Sequence, residues 1–291
     1  MLSSIVSPPL EMGPAIGDHP VVAISATEMT VVTVIFGLLA LASLGFCVTV
    51  AVRRRQLWPV FLYIGGGVAV WYETLTDVLG RCVWAPPGDW PSVVDLYGRT
   101  LPLFANFTYL FYFPVVQVGV ILLLERGLPF RKWLTYIAIA VSGAALFELY
   151  PVHRKWWWYF GDGQPVSILG YPVYWAFCAE AAVTGGAAII YLLRRNGYLP
   201  ERRSWLMMLL PASLTPMIHM AIVWPAHTAI SSSTDLWVTT PAALATIVLA
   251  CIMIALIGHI ATKQSMADKA KRDTVADRPV DHPRSTALAP S

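Results

Sequence analysis

Glu73, Asp77 and Arg81 recur at a spacing of four, which in a helix stacks all three on one face. Asp77 with Arg81 then reads as an i, i+4 ion pair that ties down the helix end, while Glu73 is left without a local partner. The flanking residues are largely apolar, and a charge in hydrocarbon costs at least about 2.5 to 3.5 kcal/mol on insertion scales. A carboxyl placed there needs a partner, a neutral protonation state or a function, and a neutral buried carboxylic acid is a proton donor. Glu180, among alanines, poses the same question. His219 and Asp235 complete an acid-base candidate set of Glu73, Asp77, Glu180, His219 and Asp235. Plainer roles compete. Asp235 follows Ser231, Ser232, Ser233 and Thr234 and suits the first turn of a helix. His219 can satisfy a carbonyl freed by Pro216, and Glu148 can reach water at an interface.

The elements that must position these groups are apolar and long. The chain has 291 residues, 57% hydrophobic and only 13% charged, which fits an integral membrane protein and excludes soluble, fibrous and disordered classes. Seven runs, at 29–52, 57–80, 100–124, 133–150, 169–193, 204–226 and 236–260, are each about long enough for a helix to cross a ~30 Å core. The expected fold class is therefore all-α: a polytopic seven-helix transmembrane bundle over 29–262. Residues 1–28 form an extracytoplasmic tail and 263–291 a polar, disordered cytoplasmic tail. Sixteen basic residues fall on one side of this topology: Arg53, Arg54, Arg55, Arg126, Arg131, Lys132, Arg194, Arg195, Arg202, Arg203, Lys263, Lys269, Lys271, Arg272, Arg278 and Arg284. The other side has four: Arg81, Arg99, Arg154 and Lys155. The positive-inside rule places the amino terminus outside and the carboxyl terminus in the cytoplasm.

At ~1.5 Å per residue, Glu73 lies ~24 Å and His219 ~22 Å above the cytoplasmic end of their helices, and Glu180 lies ~16 Å below the outer end of its own. The acids thus share a level in the middle or outer half of the membrane, where converging helices would enclose a chamber. Aromatic and amide side chains accompany them. Trp71, Tyr72, Asn106, Tyr109, Tyr112, Trp175, Trp224 and Trp237 are expected to contact a lipophilic substrate, the aromatic faces attracting a developing cation by ~0.5 to 2 kcal/mol. The aromatics of the outer loops, Trp84, Trp90, Trp156, Trp157, Trp158 and Tyr159, read as an interfacial belt or as a rim guiding an apolar ligand.

Other chemistries find no pattern. The last run has no lysine to carry retinal. His219, His227 and His259 form neither HxxxH nor HExxH, and no Walker, Rossmann or serine-elbow motif occurs. Cys47, Cys82, Cys178 and Cys251 are scattered without ligand spacing. No metal or cofactor is expected, and the basic residues flank membrane segments, so no nucleic-acid partner is expected either.

Glu73 in Trp71-Tyr72-Glu73 and Asp235 before Leu236-Trp237 give the chain a resemblance to the small integral-membrane terpene cyclases of fungal meroterpenoid and indole-diterpene pathways. The resemblance covers the order of the seven helices and two acids in corresponding helices. It implies a seven-helix bundle in which a second-helix glutamate and an aspartate near the last helix start cyclisation by protonating an epoxide or alkene of an isoprenoid. The chain departs from that pattern in a longer acidic second helix, in Glu180 and His219, and in its long carboxyl-terminal tail. A proton-coupled transporter, or a non-enzymatic assembly or lipid-binding protein, would use the same buried acids differently.

Overall fold

A computed structural model describes Val21 and residues 24–276. Most of the expected amino-terminal tail and residues 277–291 of the carboxyl-terminal tail lie outside the described residues.

The architecture is all-α, decorated at one end by three short β ribbons. Helix α1 (Ala26–Arg54) starts where the Ser25 hydroxyl accepts the Glu28 N–H at 3.1 Å and stops at Arg55, whose left-handed φ of 54° ends the helix. The second apolar run is not one helix. It divides into α2 (Trp58–Ala69), a 3-10 turn (Val70–Tyr72) and α3 (Glu73–Gly80). Gly65, Gly66 and Gly67 precede the break. They weaken the helix but allow close approach: a Cβ on Gly65 would lie 2.7 Å from the Met207 carbonyl, and one on Gly66 3.1 Å from Pro114. The break sits directly before Glu73, and tight turns inside a helix often mark a functional position.

After β1 (Cys82–Trp84), β2 (Ser92–Leu96) and β3 (Arg99–Pro102) come α4 (Leu103–Glu125) and α5 (Phe130–His153), each begun by a proline in extended conformation. Strands β4 (Trp157–Tyr159), β5 (Ser167–Ile168) and β6 (Tyr171–Pro172) lead into α6 (Tyr174–Arg195). A 3-10 segment (Glu201–Met208) then bends by 56° into α7 (Leu210–Ser232), and α8 (Leu236–Ala276) closes the chain.

Five of these helices, α1, α4, α5, α6 and α8, are long and apolar enough to cross a membrane, or six where the bent 3-10 segment and α7 are counted as one span, against the seven expected. Their outward faces are apolar, as on α8, where Val248, Ile252, Leu256 and Ile260 repeat at helical spacing and are all exposed. Helix α6 lies at the centre. Its Ala181, Ala182, Gly185, Gly186, Ala187 and Ala188 are small enough for neighbouring backbones to pack closely.

One end of the bundle is joined by the ribbons. β1 pairs with β4, matching Cys82 with Tyr159 and Trp84 with Trp157, and so ties the end of α3 to the end of α5. Arg154 pairs with Glu28 of α1 at 2.8 Å. The opposite end carries Arg54 and Arg194 on Glu125, and Arg195 on Asp268.

That last ion pair corrects the expected disordered tail over 263–276. This stretch continues α8, because Asp268 holds Arg195, the Ser265 hydroxyl accepts the Leu128 N–H at 2.8 Å, and Arg272 donates to the Glu125 carbonyl at 2.9 Å. The polar residues that read as solvated anchor a helix to the bundle instead.

Candidate functional site

Beneath the ribbons lies a chamber with about 720 Å³ of unfilled space, its mouth included. Glu73 and Tyr72 enter it from the α2–α3 break, Thr108, Tyr109, Tyr112 and Phe113 from α4, Glu148 from α5, Trp175 from α6 and His219 from α7. Trp84, Trp157, Tyr159 and Tyr171 close it from the ribbons.

The Tyr109 hydroxyl donates to Glu73, and Thr76 lies 3.4 Å from the same carboxylate oxygen. The turn at Val70–Tyr72 shifts Glu73 relative to α2 and aims it at α4. Tyr72 packs edge-on to Tyr109, with centroids 6.2 Å apart, and to His219 at 6.1 Å. Trp175 packs against His219 as well, with centroids 5.4 Å apart. His219 is buried, its Nδ1 has no hydrogen-bond partner among the described residues, and the expected bond from its ring to a carbonyl freed by Pro216 does not form among them.

The roof is aromatic. Trp84 and Trp157 lie 4.8 Å apart, a proximity set directly by the β1–β4 register. Trp157 Nε1 donates to Glu148 at 2.6 Å, fixing that carboxyl at the chamber wall. Tyr159 and Tyr171 lie outside the helices. Burial, reinforced by the Glu148 charge, pushes both phenols well above their ordinary range, so their hydroxyls remain protonated hydrogen-bond donors.

Beside the chamber runs a second space of about 1050 Å³ between α4, α5 and α6. Glu180 lines this groove rather than the chamber. The Tyr112 hydroxyl donates to Glu180, while the other carboxylate oxygen is buried without a partner among the described residues. Tyr109 and Tyr112, three apart and so neighbours on one face of α4, thus hold Glu73 and Glu180 respectively.

Asp77 is fully buried behind Glu73 and is not a chamber wall residue. The expected Asp77–Arg81 ion pair does not form among the described residues, because Arg81 adopts a left-handed φ of 51° that ends α3 and carries its side chain to Gly161. Asp77 instead lies in the field of Arg99 from β3. Burial lowers the Arg99 guanidinium below its ordinary value, and the Asp77 charge opposes that shift. The carboxylate also faces Cys82 and Trp84 without closing a hydrogen bond to either.

Asp235 does not join the site. It is exposed and caps α8, its carboxylate accepting the Trp237 N–H at 2.8 Å. Trp71, Trp224 and Trp237 are 63%, 60% and 88% exposed and point away from the chamber. Each lies on the outward face of its helix, where an indole meets surroundings rather than substrate. Asn106 is half-buried, its Oδ1 turned toward Gly67, and lines neither space. Tyr72, Tyr109, Tyr112 and Trp175 of the expected contact residues do line the chamber. Glu148, Trp84, Trp157 and Tyr159 were legible in sequence only as interfacial groups, and Tyr171 was not singled out; the meeting of Trp84 with Trp157 and Tyr159 depends on the long-range β1–β4 pairing. Among the described residues no three of His, Cys, Asp and Glu assemble with metal-ligand geometry.

No family model matches the chain, and neither a curated protein nor a solved structure matches it.

Proposed function

We propose that the protein is a membrane-embedded isoprenoid cyclase, with seven crossings and an exterior amino terminus, in which Glu73 protonates an epoxide or alkene of a lipophilic substrate. The observation that carries this reading is the grouping of Glu73, Glu148 and His219 in one aromatic chamber whose described lining includes no lysine or arginine. An acid in such a place is not neutralised by a cation, and low polarity strengthens its proton transfer to substrate. Tyr109 orients the donor oxygen.

Protonation of the epoxide oxygen breaks one C–O bond, and the electron pair of a neighbouring alkene forms the new C–C bond. Tyr72, Trp84, Trp157 and Trp175 present π faces to the cation that migrates along the chain. Loss of a proton to His219 ends the sequence, so substrate and product are isomers and no oxidant enters the balance. His219 can accept because one ring nitrogen of neutral imidazole carries a lone pair and Nδ1 is free of hydrogen bonds among the described residues.

The test compares lipid extracts from cells producing the wild-type chain, Glu73→Gln and no protein. A cyclase yields a species of unchanged mass and altered retention with the wild-type chain only. Equal amounts of that species with correctly inserted Glu73→Gln would refute the assignment.

A further inference from the structure

We propose that the groove between α4, α5 and α6 is a lateral port that admits the apolar chain of a bilayer lipophile with an uncharged, hydrogen-bonding head group, and that the Tyr112–Glu180 contact is its inner gate. The inference rests on the chamber being the site proposed above and adds how that site is reached and what it rejects.

Continuity is the first support. Thr108, Tyr112, Glu148, Tyr171 and Ala179 line both spaces, so a single layer of side chains separates groove from chamber. The outer end faces the apolar surface of the bundle, where Ile139 is 68% exposed and Phe147 is also exposed. A molecule dissolved among lipid chains meets this opening without crossing the polar ribbons.

Charge defines the occupant. The described groove lining contains Glu148 and Glu180 but no lysine or arginine, and the chamber repeats that pattern with Glu73. A phosphate or carboxylate head would move toward carboxyl groups in a low-dielectric space with nothing to neutralise it. A hydroxyl, carbonyl or epoxide carries no such penalty and can bond to the Glu180 oxygen that is 1% exposed as a residue and unpartnered among the described residues. Glu180 therefore offers the head group a polar foothold at the point where Tyr112 must swing aside.

Gly143 of α5 supplies the test. It lines the groove, and a Cβ built on it meets nothing within 4 Å. A large side chain there projects into the port, and replacing glycine within a helix does not lower helix propensity. Full-length protein in phosphatidylcholine nanodiscs is labelled with photoactivatable diazirine analogues of farnesol and of farnesyl phosphate, and the labelled peptides are mapped. Farnesol labelling is expected on α4 and α5 in the wild-type chain, at least tenfold lower in Gly143→Phe, unchanged in Gly143→Ala, and at least tenfold lower for the phosphate. Ala140→Leu, a second groove substitution, provides the same readout if Gly143→Phe misfolds. Undiminished groove labelling in folded blocking variants overturns the port, and equal labelling by the phosphate overturns the charge filter. Glu73→Gln should label like the wild-type chain. Its loss of product with labelling retained supports both readings, whereas groove labelling without any cyclised product in the wild type leaves the port standing and removes the cyclase.

Discussion

The Tyr109 hydroxyl is the only described hydrogen-bond donor from another helix to Glu73, so the pair can be tested as one unit. Tyr109→Phe removes that bond while retaining the ring, which stacks on Phe113 at 4.6 Å and meets Tyr72 at 6.2 Å. A buried hydrogen bond contributes about 0.5 to 1.5 kcal/mol net, and 1.4 kcal/mol corresponds to about tenfold in rate. If the bond positions the acid, Tyr109→Phe should lower turnover about three- to tenfold. Glu73→Gln keeps the side-chain volume but removes the donated proton, and should cost about 10²- to 10⁴-fold. The double variant decides the issue. Once Glu73 has no proton to deliver, its orientation no longer matters, so adding Tyr109→Phe to Glu73→Gln should produce no further loss. The assay is initial-rate formation of the isomerised product in vesicles, with thermal unfolding of all four proteins in the same detergent. Multiplicative losses in the double variant would show that Tyr109 acts independently of Glu73 and would refute the positioning argument.

Further outcomes concern the roof, the caps and the packing. Trp157→Phe deletes the 2.6 Å bond to Glu148 and should destabilise the protein by about 1 kcal/mol while reducing turnover, with stability read by thermal unfolding. Asp235→Asn should leave turnover and stability nearly unchanged because asparagine caps as well as aspartate, whereas Asp235→Ala should lose about 1 kcal/mol of stability at undiminished turnover per folded protein. A turnover collapse in folded Asp235→Asn would return that residue to the catalytic set. Gly258→Ala would place a Cβ 2.0 Å from Trp133 Nε1 in the packed α5–α8 contact; a loss of about 1 to 3 kcal/mol in unfolding is expected, and a fully stable variant would contradict the packing.

Apolar run length placed the five long helices, since backbone groups in hydrocarbon must be satisfied within their own segment, but it did not show that the run at 57–80 breaks at Val70–Tyr72 or that the run at 204–226 bends. The buried character of Glu180 and His219 was equally local, because each is surrounded in sequence by apolar or small residues. Spacing could not decide the partner of Asp77: the i, i+4 geometry requires helix through Arg81, and the left-handed residue there ends it. Nor could it separate Trp175, which lines the chamber, from Trp224 and Trp237, which face outward, because a strongly apolar helix has little periodic contrast between its faces. The roof was beyond local reading altogether. Trp84 and Trp157 meet through antiparallel pairing of two distant strands, and Glu148 becomes a wall residue only because that pairing brings Trp157 over it. The sequence determined which residues must leave water; the tertiary structure decided which of them share one cavity, because enclosure depends on contacts between elements that no single helix encodes.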